Sequence, residues 1–319
     1  MALNTELLIT LQQLKGVGSK TIFDIANSVD LKDIESLCNY WHTLKGKKFE
    51  KVSKEDLILA NRTALRIIEN CEIEKIGIIS YFEDDFPDIL KNCTNEEGKK
   101  DPPVVLYYRG NLAALKKSGV AVIGTREPTS NGVKAGLYFS SELAKKGYNI
   151  VSGLAVGCDT TGHRGALDAG GTTTAFLATS LKWDDIYPKE NLELAKEIVN
   201  NGGLLLSEYY IGQKCGRYAF VARDRLQAGL SYATIVVQTG IHGGTMHAVN
   251  ATINSGKPLF AVKYNHAIDA NHDKVQGNNK MLNDGLAIAL GTETLEKAFS
   301  IVEETVNKSN HQITNNSLF

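Results

Sequence analysis

The feature that most constrains the fold of this 319-residue chain is an alternation that begins near Val120. Short apolar runs of strand length alternate there with segments long enough for a helix. The runs lie at 120–123, 150–151, 174–177, 204–206, 235–237 and 259–262. Strands joined by helices return to the same end of a sheet and pair in parallel. The alternation therefore predicts an α/β fold whose mainly parallel sheet is covered by helices on both faces.

The chain before this alternation has a helical character. An apolar face from Leu7 to Leu14 ends at Gly16-Val-Gly18, and Ser19 is predicted as the N-cap of the next helix. Helix, Gly-Val-Gly turn and helix form the outline of a helix-hairpin-helix unit, whose N–H groups can contact a DNA phosphate; a corner that only packs is the alternative. We predict a helical domain over 1–75, an α/β domain over 76–300 and a polar tail over 301–319, disordered after about residue 306.

Composition limits the classes of function. The net charge is -1 and the pI ≈ 6.7, so any nucleic-acid contact must come from a local patch. The five cysteines are irregularly spaced, which favours neither a zinc site nor a disulfide framework and indicates a reducing, cytoplasmic location. The sequence has neither a signal-peptide pattern nor an apolar run of about 20 residues, so no membrane association is expected.

Glycine-rich turns follow several of the apolar runs, at the edge where open α/β sheets bind ligands. After the first run, Gly124 permits close approach of a ligand, Thr125 can donate to a phosphate and Arg126 can bind one in bidentate fashion. A turn with a surface arginine is the alternative. The turn lacks the G-x-G-x-x-G pattern, which disfavours a dinucleotide cofactor.

A second turn combines glycines with the start of a helix. Ser152, Gly153 and Gly157 precede a helix whose first turns contain His163 and Arg164. Backbone N–H groups and the partial positive charge of a helix start predict a phosphate-binding loop. Whether His163 binds a ligand or packs in the core stays open.

A third turn repeats this design, because Gly243, Gly244 and Thr245 follow a strand and open a helix. Asp159, in the second turn, is predicted as an N-cap rather than a base. Two histidines near the third turn have no carboxylate or cysteine beside them, so no metal is expected. No nucleophile–base spacing is recognisable, and an enzymatic activity is therefore not favoured.

The segment 217–225 sets three arginines among two aromatic residues, Tyr218 and Phe220. Arginine beside aromatic residues is the composition that stacks bases and binds the phosphates of single strands, although a helix with solvated arginines is the alternative. Two lysines flank another loop and could form a basic rim. The charged residues predicted at the site from these segments are Arg223, Arg225, Lys182 and Lys189.

Taken in order, these segments resemble the DNA-processing protein A family (DprA, also called Smf). The resemblance covers roughly residues 75 to 290. The segments that carry it are 124–126, 152–159, 163–167, 186–191, 204–208, 223–225, 228–231, 244–245 and 277–279.

The resemblance implies an extended Rossmann-like fold with a mainly parallel sheet, preceded by a small N-terminal helical domain of helix-hairpin-helix or SAM-like type. It implies cytoplasmic single-stranded DNA binding, homodimerisation and delivery of a RecA-type recombinase onto incoming DNA during natural transformation, with no cofactor and no established catalytic activity. The alternative is a sensor or hydrolase for a nucleotide-derived ligand, possibly in mobile-element or phage defence, with Glu208 or Asp159 acting on the ribose side.

The chain departs from the pattern of the family at three positions. Asp224 stands where the family usually has Asn, Gln238 where Glu is common, and His242 where Ser is usual. The carboxylate of Asp224 either weakens the local positive potential or pairs with a neighbouring arginine. These departures raise the expectation of a specialised member.

Overall fold

A single sheet organises the chain. The structure is a computed structural model that describes the backbone of residues 3–316 and the side chains of residues 3–310. Within these residues the sheet has nine strands. They are β1 (Gly77–Ser80), β2 (Val105–Gly110), β3 (Gly119–Ile123), β4 (Asn149–Ser152), β5 (Thr172–Leu177), β6 (Leu204–Ser207), β7 (Ser231–Val236), β8 (Leu259–Val262) and β9 (Ile288–Leu290).

The strand order is β1-β2-β6-β5-β4-β3-β7-β8-β9. The pairs β1–β2 and β2–β6 are antiparallel, and all other pairs are parallel. From β3 the chain builds outward to β6 on one side, and β7 then returns to pair with β3 on the other side. This reversal creates a crevice at the carboxyl end of β3 and β7, the usual ligand position in such sheets. The predicted α/β fold is confirmed.

Helices cover the sheet on both faces. In chain order they are α1 (Thr5–Gln12), α2 (Ser19–Ser28), α3 (Ile34–Trp41), α4 (Lys47–Glu50), α5 (Lys54–Ile73), α6 (Asp88–Lys91), α7 (Ser130–Lys145), α8 (Cys158–Asp168), α9 (Leu192–Asn200), α10 (Tyr218–Leu230), α11 (Thr245–Asn254), α12 (Ala267–Ala270), α13 (Gln276–Asn283) and α14 (Leu295–Asn316).

Strand β3 shows why the central strands are continuous apolar runs. Successive side chains point to opposite faces of a sheet. Val120 and Val122 lie in the cluster that includes residues of α7 and α14, whereas Ala121 and Ile123 lie in the cluster formed with α11 and α13. Both faces are buried, so every position of the strand is apolar. Strand β9 was not predicted because it has only three residues and Ile288 is exposed.

The N-terminal helices share a core with the sheet. Leu7 and Leu11 of α1 belong to the same buried cluster as Val105 of β2 and Leu205 of β6. The predicted helix–turn–helix outline is present as α1 and α2. Ser19 is the first helical residue rather than the N-cap, because Gly18 precedes the helix and makes no side-chain cap.

The C-terminal segment is more ordered than its composition indicated. Helix α14 continues to Asn316, so the disorder predicted after residue 306 is wrong as far as that residue. Leu295, Phe299 and Val302 form an apolar face against the sheet, and a helix begun there extends readily through polar residues. The last part of the predicted tail, 317–319, lies outside the described residues.

Candidate functional site

A pocket of about 720 Å³ lies at the crevice where the strand order reverses. Most of its lining comes from the end of β3 with the following turn, the loop between β7 and α11, and one face of α10. Ala155 and Asp159, together with residues 273, 274 and 276, complete it. The sequence-predicted site residues that line it are Gly124, Thr125, Arg126, Arg223, Gly243, Gly244 and Thr245. The structure therefore brings the first and third predicted phosphate loops and Arg223 to one cavity, to which the second loop contributes Ala155 and Asp159.

The turn after β3 places an exposed guanidinium at the pocket. The N–H of Thr125 donates to the carbonyl of Gln238 at 2.7 Å, which fixes this turn against the end of β7. Arg126 is exposed, and its guanidinium carbon lies 5.9 Å from the centroid of the Phe220 ring on α10. A cation placed beside an aromatic ring at the rim of a pocket suits the recognition of both phosphate and base.

The loop between β7 and α11 is anchored at its base and open at its tip. Asn278 accepts from the N–H of Thr239 at 2.9 Å and donates to three carbonyls at or directly after the ends of β7 and β8. Gly243 and Gly244 are exposed, and a Cβ added at Gly244 would have no heavy atom within 4 Å. Packing therefore does not require glycine there. The N–H groups of Met246 and His247 at the start of α11 donate to the carbonyls of Gly243 and Gly244, both at 3.1 Å. An anion would therefore meet the open glycine backbone and the partial positive charge of the helix start.

A buried arginine lies behind the pocket. Nη1 of Arg223 donates to the carbonyl of Phe176 at 3.2 Å and lies 3.8 Å from Oδ2 of Asp159. Its Nε lies 3.3 Å from Oδ1 of Asp224. A Cβ added at Gly153 would lie 1.2 Å from Nη1 of Arg223. The glycine in this second loop therefore makes room for a guanidinium of the protein itself, and Gly153 lines only a smaller neighbouring pocket.

Asp159 orders the second loop from inside. Its carboxylate accepts from the N–H groups of Gly153 and Ala155 at 3.1 and 3.2 Å. The predicted N-cap role is wrong, because Gly157 occupies the cap position and the carboxylate turns back toward the loop before it. Burial raises the pKa of Asp159, and the guanidinium of Arg223 opposes that shift. Some of the loop N–H groups that were predicted to bind a phosphate therefore already donate to this carboxylate.

The structure does not bring His163, Ser152 or Gly157 to the large pocket. His163 is fully buried and its Nδ1 lies 2.7 Å from Oγ1 of Thr173. Burial lowers the pKa of His163 to about 3, so the imidazole is neutral at physiological pH. Ser152 is also buried and donates to the carbonyl of Val122 at 2.6 Å. The phosphate contacts predicted for His163 and Ser152 do not fit this structure, since both side chains face the interior. Gly157 is half-buried and lines neither this pocket nor its smaller neighbour, and its contact stays a prediction.

Arg225 also faces away from the large pocket. It is buried, and its two terminal nitrogens donate to Oε2 and Oε1 of Glu208, both at 2.8 Å. Burial alone would lower the pKa of Arg225, but the carboxylates of Glu208 and Asp101 raise it well above the usual value. The predicted phosphate role of Arg225 is therefore corrected to an internal ion pair, and Glu208 is not free to act on a ribose.

The remaining predicted cations are engaged elsewhere. Arg164 pairs with Glu197, and Lys182 lies 3.8 Å from Glu74. Nζ of Lys189 donates to the carbonyl of Asp184. None of the three lines the large pocket. A lysine or arginine next to a glycine-rich loop in sequence can point to either side of it, and only the fold decides which.

Two polar residues of α10 that line the pocket were missed as site residues. Asp224 and Gln227 stand three positions apart on α10, and Nε2 of Gln227 donates to Oδ1 of Asp224 at 2.9 Å. Both line the pocket, together with Phe220 one turn earlier. Their spacing at 220, 224 and 227 places them on one helical face, a signal available in the sequence once α10 is assumed to be helical.

The carboxyl of Asp224 predicts how stability depends on pH. Burial, opposed chiefly by Arg223, raises the pKa of Asp224 from 3.8 to about 6. A carboxyl with a raised folded-state pKa disfavours folding increasingly as pH rises from the unfolded value to the folded value. We expect Asp224→Asn to be more stable than the wild type above about pH 7, by up to about 3 kcal/mol, and equally stable near pH 4. Urea unfolding at both pH values measures this, and a stability difference independent of pH would contradict it.

Neither a metal centre nor a membrane span is found in the part of the chain that the structure describes. No group of three or more His, Cys, Asp or Glu side chains there is arranged to bind a metal. No helix there is both long enough and apolar enough to cross a bilayer.

Comparison with known proteins identifies the family. The family model described as DNA recombination-mediator protein A matches residues 77–303. Protein Smf of Synechocystis is 29% identical over 294 residues, which cover 89% of this chain and 69% of that protein. The DNA processing protein DprA of Streptococcus pneumoniae is 34% identical over 221 residues, which cover 67% of this chain and 73% of that protein.

Two solved structures agree with this assignment. DNA processing protein A from Streptococcus pneumoniae matches with a TM-score of 0.73 and 26% identity, over 93% of this chain and 98% of that chain. The protein from Helicobacter pylori, described as having a unique single-stranded DNA binding mode, matches with a TM-score of 0.60 and 30% identity, over 71% of this chain and 96% of that chain. The resemblance found in the sequence is thus confirmed, and the chain belongs to the DNA recombination-mediator protein A family.

Proposed function

We propose that this protein binds single-stranded DNA at the large pocket and acts in DNA processing and recombination, as a mediator in DNA uptake and transformation. The observation that carries the proposal is the pairing of exposed Arg126 with the open Gly243–Gly244 loop across one cavity. A guanidinium and a helix start both bind phosphate, and Phe220 offers an aromatic surface between them. The single-stranded DNA binding described for the relative from Helicobacter pylori supports this assignment.

The arrangement suits a strand better than a single nucleotide. A second pocket of about 150 Å³ adjoins the first, and both are lined by Arg126, Ala155, Phe220 and Arg223. Tyr187 lines the second pocket and is 50% exposed, and its ring centroid lies 5.6 Å from that of Phe220. Successive nucleotides could use the two pockets, with an aromatic pair between them. Tyr218, also predicted to stack a base, is 87% exposed and lines neither pocket.

Membership of the family supports a proposal for the cellular role. We propose that the protein works in the cytoplasm, forms a homodimer and delivers a RecA-type recombinase onto the bound strand. The description of the family as recombination mediators supports the recombinase partner. The alternative function, a sensor or hydrolase for a nucleotide-derived ligand, is not favoured, because Glu208 is paired with Arg225 and Asp159 is buried against backbone amides.

Arg126→Ala is expected to weaken binding of a fluorescein-labelled (dT) oligonucleotide about tenfold. A hydrogen bond to a charged group contributes about 1.5 kcal/mol or more, which corresponds to that factor. The salt dependence should also become shallower, by about 0.7 in the log–log slope for the lost phosphate contact. Fluorescence anisotropy across a salt series measures both quantities.

Arg66→Ala is the matched control for this experiment. Arg66 is an exposed arginine on α5 that lines neither of the two pockets. Its removal should leave the affinity for the oligonucleotide unchanged. Equal effects of the two variants, or a wild-type affinity that ignores salt, would reject the pocket as the binding site.

A further inference from the structure

The large pocket contains a polar surface that a phosphate cannot use. Asp224 places a carboxylate there, and a carboxylate repels phosphate at neutral pH. Oδ1 of Asp224 accepts from Gln227 and lies beside Nε of Arg223, so Oδ2 is left for another donor. The chemistry of this part of the pocket therefore favours a ligand group with N–H donors, such as the edge of a nucleobase.

Gln227 supplies a second acceptor beside the carboxylate. It is 2% exposed, and its Oε1 has no hydrogen-bond partner among the residues described. Since a carboxylate only accepts, the amide nitrogen must face Asp224, which fixes Oε1 as the unpaired atom. A buried unpaired carbonyl oxygen disfavours the unliganded fold, and a ligand that donates to it recovers that free energy.

We propose that Asp224 and Gln227 form a guanine-reading site. Guanine presents two adjacent donors, N1–H and the 2-amino group, on one edge, and these match two neighbouring acceptors. Adenine and cytosine place an acceptor nitrogen beside their amino group, and thymine has one N–H between two carbonyls. Guanine therefore gives each oxygen a separate donor group, whereas adenine or cytosine would have to share one amino group between them and thymine has a single N–H.

The rest of the pocket accommodates a base in this position. Phe220 lies one turn before Asp224 on the same face of α10 and provides an aromatic wall. The glycine loop and Arg126 stand on the other segments of the lining, where they would bind the phosphate of the same nucleotide. The inference rests on the proposed function in so far as the guanine belongs to a DNA strand; a free guanine mononucleotide has the same donor edge.

The test compares (dT) oligonucleotides that contain one central dG, dI or dA. Inosine lacks only the 2-amino group of guanine. We expect the wild type to bind the dG strand at least about tenfold more tightly than the dI or dA strand, the discrimination typical of a good bidentate contact. Gln227→Leu and Asp224→Asn should reduce that ratio to near one. Gln213→Leu, a glutamine outside the pocket, should leave the ratio unchanged.

The outcomes separate this inference from the proposed function. Equal binding of the dG, dI and dA strands by the wild type would overturn guanine reading and leave strand binding intact. If no strand binds, the proposed function fails. The inference is then tested by comparing the melting temperature of the protein with dGMP and with dIMP. Stabilisation by dGMP alone would assign the site to a free nucleotide, and no preference between the two would overturn it. Melting curves of each variant confirm that it is folded.

Discussion

Gly157→Ala is expected to destabilise the protein by about 3 kcal/mol or more and to abolish oligonucleotide binding. Gly157 has a φ of +85°, which side chains of L residues rarely adopt. A Cβ there would also lie 2.5 Å from the carbonyl oxygen of Thr125 and 2.6 Å from that of Arg126. Backbone strain and overpacking each cost about 1–3 kcal/mol, and neither can be relieved by moving a flexible side chain.

The effect of Gly157→Ala on binding has the same cause. The N–H of Cys158 donates to the carbonyl of Thr125 at 3.0 Å, so the start of α8 and the Arg126 turn are in direct contact. A shift of the start of α8 would therefore also move the turn that contains Arg126. Gly244→Ala is the control for stability, because its backbone is helical at φ -58° and its Cβ would meet open space. Urea unfolding should place Gly244→Ala within about 0.5 kcal/mol of the wild type; similar losses in both variants would contradict the steric argument.

Arg225→Met is expected to lower stability by about 3 kcal/mol. The substitution leaves Glu208 and Asp101 without the buried guanidinium that now lies between them, since Nε of Arg225 is 2.7 Å from Oδ2 of Asp101. Removing one partner of a buried ion pair typically costs about 3–5 kcal/mol, and the partial exposure of both carboxylates places this case at the lower end. Urea unfolding of the variant measures the loss.

The double variant Arg225→Met with Glu208→Met tests the cause. Removing Glu208 as well should recover part of the lost stability, because one of the two uncompensated carboxylates is gone and the remaining one, Asp101, is the more exposed. The double variant should also bind the oligonucleotide like the wild type, since neither residue lines the large pocket. Additive losses of stability would show that packing, rather than charge, dominates at Arg225. A loss of DNA affinity in a stable double variant would restore the phosphate role that the sequence predicted.

The fold was predictable because strands buried on both faces leave a plain signal. The runs at 120–123 and 259–262 are apolar throughout, and β3 and β8 lie there with every residue buried. Strand β9 was missed because three residues, one of them exposed, give no such run. The helical continuation of α14 was missed because polar composition alone does not show that a packed first turn extends a helix.

The sequence predicted the backbone loops of the site more completely than the side chains that line it. The loops at Gly124 and Gly243–Gly244 reach the pocket as expected, because glycine turns at strand ends fix the path of the chain. The burial of His163 and Arg225 could not be predicted because the buried positions of α8 and α10 include polar and charged residues, so no apolar stripe marks the inward face. Asp224 and Gln227 acquire their role only from the position of α10 beside β3 and β7, which is a property of the whole fold.

The core that the N-terminal helices share with the sheet has a consequence for biosynthesis. Leu7 and Leu11 of α1 share a buried cluster with Leu205 of β6, which the ribosome adds much later. Contacts between distant parts of a chain form slowly, since a long loop must close first. The buried cluster that contains the N-terminal helices therefore stays incomplete, and part of their apolar surface exposed, until most of the sheet has been synthesised. Their final packing belongs to the last stages of folding, although they are the first part of the chain to be made.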